Sequence, residues 1–406
     1  MTVVCWGNLA KSADSVQRIE QSIQAYIEGH DENPNAHMGA DYSLGAHRLQ
    51  TEIDHLPYSA RNSLLYPTAR TYKAIVDLAG NGDTISIQNA IDYVNSCGGG
   101  TILIKAGIYT LSTDLTIYSN VEILGEDDDL VTVKFSSNAY HIKIIGTSGT
   151  HKRNITISRI NFEGLQNLAG WKNIEVKYCD DVIIERCKFT TTGVQYERPH
   201  AIYVEYCSRC NIINCRSIEI VNAFYLKDSI QCSVENCYFY MLGGDCVGLE
   251  SSDHILIRNN LAKLCATALV YDYGNSDKTK CYENTIQDCA DYAFVCTTSN
   301  NWIISNNHIV NAGESYGGIS LEESNRNIIS NNEIIGLAYD GIHLINSDHN
   351  VISNNVIYSC DGTGIKITDA ASSKNILSSN QVYNNATAQI TDSGTGTVNA
   401  NNIVTS

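Results

Sequence analysis

A repeat with a fixed internal ruler constrains this chain more than any other feature. Arg326-Asn327-Ile328-Ile329-Ser330-Asn331-Asn332, His349-Asn350-Val351-Ile352-Ser353-Asn354-Asn355 and Lys374-Asn375-Ile376-Leu377-Ser378-Ser379-Asn380 follow the alternating runs Gly318-Ile319-Ser320-Leu321, Gly341-Ile342-His343-Leu344 and Gly364-Ile365-Lys366-Ile367. The period is roughly 23 to 25 residues, inside the solenoid range. Traced backwards, two columns stay eight residues apart. One reads Cys179, Cys207, Ser229, Ser252, Ser276, Ser299, Ser324, Ser347, Ser372; the other Cys187, Cys215, Cys237, Asn260, Asn284, Asn307, Asn332, Asn355, Asn380. Each unit holds short period-two strands broken by Gly, Asn, Ser and Asp, with no helical pattern between them. Such a unit cannot bury its apolar side alone and must stack on its copies. An Asn at a buried turn can then donate to one rung and accept from another across a spacing of ~4.8 Å. The expected fold is an all-β solenoid, a parallel β-helix, right-handed by the chirality of parallel crossovers.

The chain has 406 residues, enough for one large solenoid and a small second module. With 27 basic against 44 acidic residues, net −17, no nucleic-acid partner is expected. No run approaches the ~20 apolar residues of a membrane span, and the start Met1-Thr2-Val3-Val4-Cys5-Trp6 lacks the form of a signal peptide. Most of the 15 cysteines fall on solenoid columns and are expected reduced and packed, pointing to synthesis in a reducing cytoplasm. Cys207-Ser208-Arg209-Cys210 stands alone as a CxxC and is not read as a zinc site. No cofactor is expected.

Residues 1–70 fall outside the repeat and are expected to form an adaptor or oligomerisation segment. Ser12 to Glu28 places Val16, Ile19, Ile23 and Tyr26 in a short heptad-like stripe that needs a partner. Four histidines crowd this segment, and His37, His47 and His55 are weak metal-ligand candidates against the commoner reading of polar loop residues. Trp6-Gly7-Asn8-Leu9, the Asn33-Pro34-Asn35-Ala36-His37 turn and the Ser43…His47…Ile53-Asp54-His55 run resemble a small adaptor module of tailed-phage structural proteins. That resemblance implies attachment to other virion proteins, usually in a homotrimer.

Residues 71–406 carry the solenoid. Asp83 or Thr84 can cap a helix over 84–96, through Ile85, Ile87, Ala90, Ile91 and Val94, that stops at Gly98-Gly99-Gly100. Rungs are expected from about 101 to 392. The helix, then Thr101-Ile102-Leu103-Ile104, Lys105-Ala106-Gly107-Ile108-Tyr109 and Ser119-Asn120-Val121-Glu122-Ile123-Leu124-Gly125, resemble the entry of the pectate-lyase-like right-handed parallel β-helix superfamily. There an amphipathic helix plugs the open apolar end. That scaffold hosts lyases, hydrolases, epimerases and non-enzymes alike, so it implies fold and not activity. Gly244-Asp245-Cys246-Val247 resembles a polygalacturonase segment, but the other polygalacturonase segments are not found.

Strand alternation sorts the face before each Ser/Cys corner. Ile174, Val176, Ile202, Val204, Phe224, Leu226, Val247 and Leu249 point inward. One outward column reads Glu175, Tyr203, Tyr225, Gly248, Val270, Val295; the next Lys177, Glu205, Lys227, Glu250, Asp272, Thr297. Tyrosines beside carboxylates suit a sugar ring, which stacks on an apolar face and donates hydroxyls. Tyr203, Tyr225, Asp245 and His200 are therefore candidate saccharide-binding residues, and Glu205, Glu250, Asp272 and Lys227 candidate catalytic ones. Glu250 with Asp272 on neighbouring rungs suits a retaining geometry; Glu205 with Glu250, two rungs apart, suits an inverting one. Lys227 would serve as a lyase base if its pKa were lowered. Cross-strand Glu–Lys pairing is also the ordinary way to solvate a sheet face. The expected function is a viral tail-spike or fibre-type protein that binds a host-surface glycan. The alternatives are a polysaccharide lyase, epimerase or glycoside hydrolase, and a non-binding spacer.

Overall fold

The computed structural model describes residues 72–77, 84–137, 141–165, 172–192, 200–312 and 317–405. The adaptor resemblance, the heptad stripe and His37, His47 and His55 lie outside them, as does most of the loop at 190–199.

The strands stack into three long parallel sheets of 14, 12 and 13 strands. Each coil visits them in turn, as in Lys172–Lys177 (12-stranded sheet), Cys179–Glu185 (14-stranded) and Lys188–Thr192 (13-stranded). The core is a stack of inward columns: Ile174, Ile202, Phe224 and Val247 pair strand to strand, and all are fully buried. Helix α1 (Thr84–Ser96) buries Ile87, Ile91 and Val94. It ends as expected at glycines, with Gly98 and Gly99 at positive φ and the Gly99 amide bonded to the Val94 carbonyl at 2.9 Å. Strands continue through Ile403–Thr405.

The two columns are hydrogen-bonded ladders. Asn307 Oδ1 accepts from the Asn284 amide at 3.0 Å and Asn284 Nδ2 at 2.9 Å, and the same link recurs through Asn332, Asn355, Asn380 and Asn402. Ser229, Ser252, Ser276, Ser299, Ser324, Ser347 and Ser372 form the second ladder, each hydroxyl accepting the amide of the rung before. A third ladder, Asn327–Asn350–Asn375, begins at the Trp302 amide. The residue before every ladder position but Ser372 takes a left-handed conformation, usually as Asn between the 14- and 13-stranded sheets: Asn214, Asn236, Asn259, Asn306, Asn331 and Asn354. All described cysteines are free thiols, and each is buried except Cys97.

Candidate saccharide-binding face

The candidate residues meet on the outer face of the 12-stranded sheet. Tyr203 and Tyr225 are register partners on His200–Glu205 and Asn222–Lys227, with rings stacked at 5.6 Å and 9°. His200 lies 4.9 Å from the Tyr225 ring. Gly248 follows Tyr225 in the column, and Tyr271 follows Gly248. Tyr273 stands 5.6 Å from Tyr225 and 4.7 Å from Tyr271. Five aromatic rings thus cluster along four successive strands.

Carboxylates are built into the cluster. Glu250 accepts hydrogen bonds from the Tyr225 hydroxyl and, at 2.7 Å, from Lys227 Nζ. Asp245, nearly buried in front of its strand, accepts from Thr267 Oγ1 at 2.6 Å and from the Tyr273 hydroxyl at 2.5 Å. Glu205 pairs with Lys177 at 2.6 Å. Below it, Glu175 binds His141 at 3.1 Å and Lys172 at 2.8 Å, and the Lys172 ammonium sits 4.0 Å over the Tyr203 ring.

These contacts fix protonation. The hydrogen bond from His141, with help from Lys172, holds Glu175 down to about 2. Lys227 and then Tyr225 hold Glu250 below the usual carboxylate range. Burial pushes the Tyr203 and Tyr225 phenols well up, so both remain neutral donors at working pH. The hydrogen bond to Glu250 raises Lys227, which removes the lowered pKa that a lyase base needs. Glu250 is likewise suited to stay a carboxylate and not to act as a general acid.

One expected residue is misplaced by the sequence register. Val270 pairs with Val247, Tyr271 with Gly248 and Asp272 with Leu249, so Val270 and Asp272 point inward and both are fully buried. The cause is one extra residue between Tyr271 and the corner Ser276, where Gly274 takes a positive φ and its amide closes onto Asp272 Oδ1 at 3.0 Å. In a period-two strand a one-residue slip exchanges the faces. Asp272 bonds Ser299 Oγ inside the core, and burial pushes its carboxyl up to about 6. The retaining pair Glu250–Asp272 is therefore absent. Glu205, Lys227 and Glu250 do share one register line, leaving the two glutamates two strands apart with Lys227 between them. Tyr271 and Tyr273 are the aromatic side chains of this face that the same slip hides. Gly274 is the signal in the sequence that finds them.

Among the described residues no group of three or more His, Cys, Asp or Glu is arranged to hold a metal ion.

A closed run of parallel coils with an aromatic, carboxylate-bearing face defines the molecule as a parallel β-helix. The family model "Right handed beta helix region" matches residues 76–286 and 265–404, and the chain belongs to that family. No curated protein is matched by the sequence. Among solved structures, the chain resembles the mannuronan C-5 epimerase AlgE4 A-module of Azotobacter vinelandii (15% identity, 82% of this chain and 97% of that one, TM-score 0.54). It also resembles PfbA, a surface adhesin of Streptococcus pneumoniae (15%, 79% and 92%, TM-score 0.62). A third is DFA-IIIase from Arthrobacter chlorophenolicus A6 (14%, 75% and 93%, TM-score 0.63). At these identities the likeness is one of fold.

Proposed function

We propose that this chain binds a polysaccharide along the outer face of its 12-stranded sheet. The observation that carries the reading is the cluster of His200, Tyr203, Tyr225, Tyr271 and Tyr273, with Glu250 and Asp245 set as acceptors at its edge. Aromatic rings supply apolar surface, and fixed carboxylates orient sugar hydroxyls. Relatives in fold that bear the names of an epimerase and an adhesin agree with such a role. The test is affinity electrophoresis through neutral and uronate polysaccharides. Retardation of the wild-type chain that is lost in Tyr203→Ala and Tyr273→Ala supports the reading; no retardation in any polysaccharide overturns it.

A second reading, a polysaccharide-active enzyme, is favoured by Asp245, a nearly buried carboxylate joined to the Tyr273 hydroxyl at the same face. Appearance of reducing ends or of unsaturated sugar products, abolished in Asp245→Asn, distinguishes it from binding alone. The tail-spike reading, with its virion partners and homotrimer, draws on the adaptor resemblance in 1–70, the reduced cysteines and the rod of stacked coils, and none of the three relatives in fold is a virion component by its description.

A further inference from the structure

A second site lies at the corner between the 14- and 13-stranded sheets, far around the coil from the tyrosines. There the loop bearing Asp128 and Asp129 folds over the corner of later rungs and leaves a cavity of about 240 Å³. Arg186, Lys188, Asn214 and Arg216 line it with the two aspartates.

Three observations single this corner out. The left-handed column is Asn at most rungs, yet reads Arg159 and Arg186 here. Arginine takes the same conformation at Arg209 and Arg326, so what marks Arg159 and Arg186 is the carboxylate they share. Both arginines reach Asp128: Arg186 Nη2 lies 2.9 Å from Oδ2 and Arg159 Nε 3.4 Å from Oδ1. Next, Lys188 and Arg216 are direct register partners on adjacent parallel strands. Like charges set opposite one another destabilise a sheet, and among the described residues no carboxylate forms an ion pair with either. Finally, three of the seven lining residues are cations although the chain carries a net charge of −17.

We propose that the cavity binds an oxyanion group (sulfate, phosphate or carboxylate) between Lys188 and Arg216, beside the Asp128 carboxylate already held by Arg186. Arg216 offers a planar fork of donors and Lys188 a compact charge, while Asp129 in the lining limits how much negative charge the site accepts. The site is independent of the tyrosine face, so its failure leaves the polysaccharide reading standing.

The test is thermal unfolding in sodium sulfate against sodium chloride at equal ionic strength, for the wild-type chain and for Lys188→Gln/Arg216→Gln. The wild-type chain should gain about 2 °C or more from sulfate beyond the gain of the double variant. The double variant should itself melt higher in the absence of sulfate, because the like-charge pair is gone. Asp129→Asn should enlarge the sulfate gain and guards against a variant that merely folds poorly. Equal gains in the wild-type chain and the double variant, or none in either, overturn the site. Oligogalacturonate binding that sulfate displaces identifies the oxyanion as a saccharide substituent; binding of sulfate alone identifies it as a free ion.

Discussion

Tyr225 lies across the rung of Gly248: a Cβ placed on that glycine would stand 2.6 Å from Tyr225 Cδ2. The ring crosses from its own strand to reach Glu250 on the next, and only a residue without a side chain leaves it room. The candidate site therefore depends on an atom that is missing from the sequence.

Gly248→Ala should swing the Tyr225 ring aside and break its hydrogen bond to Glu250. Polysaccharide affinity should fall about tenfold, or ~1.4 kcal/mol, with the coil intact. Calorimetric titration with the retarding polysaccharide, alongside far-UV circular dichroism, checks this. Unchanged affinity would remove Tyr225 from the site.

Asp272 should make the protein less stable as pH rises from about 4 to 6. Its carboxyl is fully buried and titrates near 6 when folded, against about 4 unfolded, so the folded chain binds the extra proton in that window. The stabilisation is complete below the unfolded value and is lost as pH passes the folded one. The difference amounts to about 3 kcal/mol. Urea unfolding at pH 4 and 6.5 should show this loss in the wild-type chain and its absence in Asp272→Asn.

Asn332→Ala should cost about 2 kcal/mol, because it orphans the buried Asn307 amide and takes a side-chain donor from the Ile304 carbonyl. Asn402→Ala, at the last link of the same ladder, should cost less, since Asn402 is only half-buried. Paired urea midpoints test the contrast. Equal costs would mean that the ladder is not the element holding the middle rungs.

Under native conditions an aromatic disulfide reagent should modify Cys97 and none of the thirteen buried thiols of the described residues. Mass spectrometry of peptides from native and unfolded protein reads this directly. Modification of Cys246 or Cys265, whose sulfurs lie 3.6 Å apart inside the coil, would show that the rungs open.

The solenoid was legible because its ladders are made by particular side chains that cannot be exchanged freely. A buried Asn must bond both neighbours, so Asn284, Asn307 and Asn332 recur in the sequence at the interval at which they stack. The aromatic face was legible only as far as the alternation stayed regular. Tyr203, Tyr225 and Glu250 were found through strict period-two counting, whereas Asp272 and Tyr273 exchanged places at Gly274. Lys227 was placed correctly, but the sign of its pKa shift depends on the Glu250 contact, which spacing does not contain. The corner at Arg186 stayed hidden because Asp128 belongs to a loop outside the repeat.

The extra residue before Ser276 changes one rung and no other. By Thr297 the register with Glu322 is regular again, and the Ser and Asn ladders run through the disturbance without a break. Each corner thus acts as a reset, confining an error in length to the coil in which it occurs. A chain built this way can rewrite its surface one rung at a time, inserting or deleting a residue between corners and turning a side chain from core to solvent while its neighbours keep their places.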